Sequence, residues 1–159
     1  SLIRVEADEV TYPMHIILRY EIEKGLFDGS ISVDQLPKIW NEKMSSYFGI
    51  CPSDDTEGVL QDIHWSMGAF GYFPSYTLGA MYACQFYNAL KCDIPDIEIQ
   101  ISKGKFRLVK SWLNNKIHSQ GKLYSINELV ENVTGEPLNP EYFIQYIKQK
   151  YSEIYDLKL

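Results

Sequence analysis

Hydrophobic positions recur mainly every three or four residues along this chain, the spacing that places them on one face of an α-helix. The first such segment covers 6–24, and Pro13 within it marks either a kink or the true first turn. We expect Gly25 to cap this helix. The Ser-Val-Asp-Gln sequence at 32–35 is a capping box that predicts a second helix ending near Phe48.

The remaining segments are also predicted to be mostly helical. Over 58–76 we expect a short helix followed by glycine-rich turns. Further helices are predicted over 75–90 and over 106–118, the latter ended by Gly121. The segment 97–101 alternates like a strand, but we interpret it as a helical turn leading into the next helix.

Two more capping signals predict the last helices. Ser125 opens a capping box, and the helix that follows it should end near Gly135. Asn139 and Pro140 fit an N-cap and first helical position, and this helix should continue to Tyr155. The whole pattern predicts an all-α protein, a compact helical bundle in which 1–159 forms one region.

Charge and cysteine usage narrow the possible partners and compartment. The net charge of -6 argues against nucleic acid as a partner, because phosphate binding needs clustered Lys and Arg. No apolar run reaches the length of a membrane span, so we expect no membrane partner. The three cysteines have no paired spacing, which is typical of free thiols in a reducing compartment and predicts a cytoplasmic location.

The segment 58–76 concentrates the side chains most suited to catalysis, and glycines interrupt it. Its His64 could donate a hydrogen bond to a developing oxyanion or move a proton. The alternative is an ordinary histidine on a helix face. Tyr72 and Tyr76 offer phenols that could stabilise the same oxyanion, with core packing as their alternative.

The acid and amide before His64 suggest a supporting role. Asp62 and Gln61 could hold His64 in one tautomer, as carboxylates commonly do behind an imidazole. Their alternative is an exposed helix start, where Asp favours the helix dipole.

An arginine near the chain start is the third candidate. Arg4 is followed by Glu6, Asp8 and Glu9, and could bind a substrate carboxylate bidentately while the acids orient it. The residues themselves favour the alternative, a surface ion pair that contributes about 0–1 kcal/mol. His15 and His118 look like ordinary helix residues. No HExxH or CxxC motif is present, so we predict no metal site within this chain.

Two motifs closely resemble signatures of the carboxypeptidase Taq family, thermostable HExxH zinc metallocarboxypeptidases. Residues 3–8 match Ile/Val-Arg-x-x-Ala-Asp, and residues 58–65 match Gly-x-x-Gln-Asp-x-His-Trp. The flanking segments 9–13 and 70–79 are similar to the family as well, and so is the tail. The HExxH helix and the Glu that is the third ligand are missing, so the chain resembles the C-terminal third of such an all-helical, cleft-bearing zincin.

The resemblance implies a mechanism for a full-length parent. Zinc, or cobalt, would activate a water that attacks the last peptide carbonyl of a peptide with a free C-terminus. His64 and Tyr76 would stabilise the oxyanion, with Tyr72 as the alternative to Tyr76. Arg4 would help to bind the terminal carboxylate. The remaining candidates for the substrate-binding wall are Gln61, Asp62 and Trp65.

The resemblance also implies partners. They are the peptide substrate, the missing N-terminal part of the same enzyme and a second copy in a homodimer. We expect the isolated chain to be inactive, since it lacks the metal ligands, and to expose a large apolar patch covered by self-association. The alternative is an inactive helical module that binds a peptide or a partner helix through an aromatic groove.

Overall fold

The computed structural model describes residues 1–158, and these contain seven α-helices and no β-strand. This confirms the prediction of an all-α protein. Three short 3-10 segments, Arg4–Glu6, Val33–Gln35 and His118–Gln120, lie between or before the helices. The helices are α1 (Tyr12–Asp28), α2 (Leu36–Phe48), α3 (Pro74–Asp93), α4 (Ile97–Ser102), α5 (Arg107–Lys116), α6 (Ile126–Thr134) and α7 (Glu141–Tyr155).

Helix α1 is displaced towards the C-terminus relative to the predicted 6–24. It begins at Tyr12 because Pro13 suits a first turn, where no backbone N–H is needed. Gly25 is not the cap: it lies inside α1, and a Cβ there would clash with the side chain of Ile31. The left-handed residue that ends α1 is Gly29, with φ of 80°.

Three other predicted boundaries are corrected. The segment before Pro74 forms successive turns instead of a short helix. Helix α5 ends at Lys116, and Gly121 follows the separate 3-10 turn. Asn139 lies one position before the N-cap, which is Pro140, and its Oδ1 accepts the N–H of Glu141 at 3.0 Å.

The capping boxes and the short α4 agree with the sequence. Ser32 and Gln35 form their reciprocal box at the 3-10 turn before α2, and Ser125 and Glu128 form theirs at the start of α6. The alternating segment 97–101 is helical, as expected from its surroundings.

The chain divides into two compact units, Ser1–Leu78 and a second one from Gly79 onwards, with the boundary inside α3. The first unit is built on α1 and α2, and its most buried cluster contains Leu18, Ile22, Trp40, Met44 and Val59. Val59 belongs to this cluster, and Leu2 and Trp65 pack against it, so it anchors the segments that carry the candidate catalytic residues.

The second unit has its own core of Leu90, Ile97 and Trp112. Its buried Gln85 ties the α6–α7 connection, because its Nε2 donates to Thr134 Oγ1 at 2.9 Å and its Oε1 accepts the N–H of Asn139 at 2.9 Å. No helix among residues 1–158 has both the length and the apolar content that a membrane span requires.

Candidate active site

A buried ion cluster joins the chain start, α1 and the 58–65 motif. Asp62 lies between two arginines: Arg4 Nη2 is 2.5 Å from its Oδ1, and Arg19 Nε is 2.7 Å from its Oδ2. The guanidinium of Arg4 also donates to Tyr12 Oη at 2.6 Å. Arg4 is 5% exposed and Arg19 is fully buried. This arrangement corrects the expected surface ion pair of Arg4 with neighbouring acids.

Gln61 strengthens the same cluster. Its Oε1 accepts from the backbone N–H of Arg4 at 2.9 Å and from Arg19 Nη2 at 2.8 Å. Its Nε2 donates to the carbonyl oxygen of Glu57 at 2.8 Å. Gln61 therefore fastens the chain start to the turn that presents Asp62 and His64.

The charges in this cluster shift the pKa values of its members. Burial opposes ionisation of Asp62, but the hydrogen bond from Arg4 and the charge of Arg19 hold the pKa of Asp62 below its ordinary value. Burial lowers the pKa of Arg19 to about 10, against the opposing effect of Asp62. The three groups are therefore all charged at neutral pH, and the removal of Asp62 would leave two buried arginines without their counter-charge.

His64 and Tyr76 form the second part of the site. His64 Nε2 lies 3.0 Å from Tyr76 Oη, a hydrogen bond whose direction depends on the imidazole tautomer. His64 Nδ1 is buried and has no hydrogen-bond partner among the described residues. The nearest Asp62 oxygen is 3.8 Å from Nδ1, which is an electrostatic contact and too long for a hydrogen bond.

Three aromatic rings pack around the imidazole of His64. The ring of Phe73, which is 1% exposed, lies 4.4 Å from that of His64 between centroids. Tyr72 is 5.7 Å from His64 and 5.4 Å from Tyr76, and it is 52% exposed. Three polar aromatic side chains therefore meet at one surface of the first unit, with the pair His64–Tyr76 hydrogen-bonded and Tyr72 at its edge.

A carboxylate of α1 holds the turn that follows His64. Glu23 is 4% exposed, and its Oε1 accepts from the indole Nε1–H of Trp65 at 2.7 Å. Its Oε2 accepts the backbone N–H of Gly71 at 2.9 Å. Trp65 also packs edge-on against Trp40 and Phe73, at centroid distances of 6.2 and 6.0 Å.

The structure brings all seven candidate residues into the first unit. They are Arg4, Gln61, Asp62, His64, Trp65, Tyr72 and Tyr76. It also adds members that the sequence did not indicate, namely Tyr12, His15, Arg19, Glu23 and Phe73. Four of these five lie on α1, where the charged ones share the buried face with Leu18 and Ile22.

The site does not form a metal centre from these residues. Within residues 1–158, no group of three or more His, Cys, Asp or Glu side chains is placed to hold a metal ion. Asp62 is occupied by two arginines, and His64 Nε2 faces a phenol. The residues present therefore do not fit a bound metal.

Comparison with known proteins identifies the class of protein as a metallopeptidase. A family model described as the Carboxypeptidase Taq (M32) metallopeptidase matches residues 1–151. The chain therefore belongs to this family.

Individual relatives agree over nearly the whole chain. Carboxypeptidase 1 of Bacillus subtilis is 50% identical over 98% of the chain, and thermostable carboxypeptidase 1 of Thermus thermophilus is 44% identical over 98%. The crystal structure of an M32 carboxypeptidase from Deinococcus radiodurans is 34% identical over 99% of this chain, with a TM-score of 0.96. The chain spans only 31% and 30% of the two curated relatives, and 32% of the solved structure.

Proposed function

We propose that this chain is the C-terminal region of a metal-dependent carboxypeptidase, in which it holds the scissile carbonyl oxygen while the last residue of a peptide is released. The observation that carries this proposal is the contact of 3.0 Å between His64 Nε2 and Tyr76 Oη at a partly exposed aromatic surface. Membership of the family supports the reaction class.

The pair supplies hydrogen bonds where charge develops. During attack on a peptide carbonyl, the oxygen becomes an oxyanion, and an O–H or N–H aimed at it lowers the barrier more than it stabilises the substrate. Tyr76 donates its phenol proton, and His64 donates through Nε2 when that nitrogen carries a proton. Asp62 Oδ1 lies 3.8 Å from Nδ1 of His64, so the supporting carboxylate is next to the imidazole without bonding to it.

The buried cluster serves this pair by positioning it. The donors of Arg4 already face Asp62 and Tyr12, so we assign Arg4 to support of the site and not to direct contact with the substrate carboxylate. Protein partners also bind the polar side-chain groups of Gln61, Asp62 and Trp65. Tyr72 is the most exposed of the three polar rings and is free to line the substrate wall.

The metal that the family name implies must be held by residues outside those described here, since these do not fit one. The chain spans 31% of the Bacillus subtilis relative, which is consistent with metal ligands that lie in the remainder of the protein. The roles of this chain are therefore those of a wall that orients the substrate and stabilises charge.

A second candidate function is a helical peptide-binding module without catalysis. The observation that favours it is the set of large apolar side chains exposed in the 60–72 segment. They are Leu60, Ile63, Met67, Phe70 and Tyr72, exposed by 44% to 70%. An exposed apolar surface of this kind is typical of a binding site.

The test is release of the last amino acid from a blocked dipeptide by the full-length protein that carries this chain, with added zinc or cobalt. The same dipeptide with an amidated C-terminus is the substrate control. We expect turnover of the free acid alone, lost on His64→Ala and retained in the matched control His118→Ala, whose side chain is exposed. Saturable peptide binding without turnover in the full-length protein would favour the binding module instead.

A further inference from the structure

The turn between His64 and Tyr72 is anchored at both ends by one side chain that lies on another element. Glu23 lies late in α1, and its two oxygens accept from Trp65 Nε1–H at 2.7 Å and from Gly71 N–H at 2.9 Å. Neither donor carries a charge. A carboxylate that is 4% exposed is costly to bury, and hydrogen bonds from neutral donors offset that cost only while both are made.

The residues between the two donors form a compact loop, 65–71, that determines the position of the His64 backbone. The carbonyl oxygen of His64 accepts from the N–H of Met67 at 3.2 Å and from that of Ala69 at 2.8 Å. Gly71 has φ of 72°, a left-handed conformation that favours glycine, and its N–H donates to Glu23 Oε2. The loop is therefore closed by its own backbone and fixed to α1 through Glu23.

The two proposed oxyanion donors, His64 and Tyr76, lie on either side of this loop in sequence. His64 immediately precedes the loop, and Tyr76 follows it at the start of α3. Tyr76 is in the first turn of α3, and its N–H bonds to the carbonyl oxygen of Phe73 at 3.2 Å. Any drift of the 65–71 loop would change the distance of 3.0 Å between His64 Nε2 and Tyr76 Oη.

We propose that Glu23 is a positioning residue for the reaction, a carboxylate clamp that sets the spacing of His64 and Tyr76 through the 65–71 loop. This inference rests on the proposed function of that pair. A carboxylate suits the task because it offers an acceptor to each donor, whereas the amide of Gln offers one acceptor and turns its NH₂ towards the other donor. Small errors in the placement of catalytic groups reduce rates strongly.

The test compares Glu23→Gln with Glu21→Gln in the full-length, metal-loaded protein. Glu21 is a matched control, because it lies on the same helix and also binds two donors, Lys43 Nζ at 2.6 Å and the phenol of Tyr47. We expect kcat on a blocked dipeptide to fall about 10–100-fold for Glu23→Gln, with KM changed less than about threefold, and to stay unchanged for Glu21→Gln. Equal effects of the two substitutions would overturn the clamp.

Combination with Tyr76→Phe separates positioning from general destabilisation. If Glu23 acts through the pair, Glu23→Gln should lower kcat by less than about threefold when Tyr76 is already Phe. A full additional loss in that background would show that Glu23 acts elsewhere. If Glu23→Gln does not fold, Trp65→Phe removes one donor while it keeps a packed ring, and we expect about a tenfold loss of kcat; no loss would count against the clamp.

Hydrogen exchange distinguishes a failure of the clamp from a failure of the proposed function. Peptides that cover residues 65–73 should exchange faster in Glu23→Gln than in the wild type, while those from α2 should not change. If the wild-type protein releases no amino acid, the proposed function fails, and this exchange result alone decides whether Glu23 fixes the loop. Unchanged exchange over 65–73 would refute the clamp in either case.

Discussion

Arg4 and Asp62 are 58 positions apart in sequence, and their side chains form a largely buried ion pair in which Arg4 Nη2 donates to Asp62 Oδ1 at 2.5 Å and Arg4 Nε donates to both oxygens, at 3.1 and 3.3 Å. Each belongs to one of the two motifs by which the chain resembles its family. The pair thus shows why those motifs occur together: the first holds the acid of the second. Arg19 of α1 completes the cluster from the other side.

Arg19→Met should destabilise the first unit by about 3 kcal/mol. The substitution removes the donors that Arg19 supplies to the carbonyl of His15 at 2.8 Å, to Gln61 Oε1 at 2.8 Å and to Asp62 Oδ2 at 2.7 Å in a largely buried cluster. Urea unfolding measures the change. Lys38→Met is the control, since its pair with Glu42 is exposed and 3.8 Å long, and should change stability by less than about 0.5 kcal/mol. An Arg19→Met protein as stable as this control would contradict the assignment.

Substitution of each tyrosine in turn, as Tyr76→Phe and Tyr72→Phe, should show which phenol donates to the oxyanion. Only Tyr76 bonds to His64, at 3.0 Å, so the proposed function assigns its phenol, and not that of Tyr72, to the oxyanion. We expect kcat of the full-length protein to fall about 100-fold or more for Tyr76→Phe, with little change in KM. Tyr72→Phe should alter kcat by less than about threefold. A larger loss of kcat for Tyr72→Phe than for Tyr76→Phe would instead identify Tyr72 as the oxyanion donor.

His15 predicts a loss of stability in mild acid. Burial lowers its pKa from 6.5 to about 4, assisted by the nearby charge of Arg19 and opposed by the bond from Nε2 to the carbonyl of Ser1. Between these two values the unfolded chain binds more protons than the folded one. The contribution of His15 to the free energy of unfolding is therefore complete above pH 6.5 and is lost as pH falls to about 4. The change amounts to about 3 kcal/mol.

The pH dependence of urea unfolding checks this effect. His15→Gln should flatten the profile between pH 6.5 and 4. Asp62 adds its own loss only below its ordinary pKa of 3.8, because its pKa in the folded protein is lower still. A slope that persists unchanged in His15→Gln would assign the effect to other groups.

Gln85→Leu should loosen the second unit locally. The substitution leaves the N–H of Asn139 and the carbonyl of Pro137 without the bonds of 2.9 and 3.0 Å that Gln85 provides. We expect a loss of about 1–3 kcal/mol and faster hydrogen exchange over 134–140. Gln145→Leu on exposed α7 should produce neither change. Equal protection of 134–140 in the two variants would argue against this role for Gln85.

Local chemistry explains what the sequence predicted well. The capping boxes at Ser32 and Ser125 specify their own hydrogen bonds within four residues, so no tertiary information is needed to place them. The all-α class follows from a spacing that persists over most of the chain. Gly25 misled the prediction because a glycine can signal a cap or a close contact, and here Ile31 occupies the space of its Cβ.

Long-range pairing explains what the sequence did not show. Arg19 and Glu23 lie on the buried face of α1, but only their partners in the 61–71 segment make that burial favourable. The spacing of Arg19 and Glu23 indicates two charged residues on the apolar face of a helix. It does not indicate which distant donor or acid binds each of them. For the same reason, the local acids near Arg4 suggested a surface pair.

The most direct test of the account is a double-mutant cycle of His64→Ala and Tyr76→Phe, measured as kcat for release of a C-terminal residue by the full-length, metal-loaded protein. The two side chains share one hydrogen bond of 3.0 Å and are proposed to act on one oxygen. The account predicts that each single substitution lowers kcat about 100-fold or more and that the double variant is hardly slower than either. Losses that multiply fully, or single variants as active as the wild type, would contradict it.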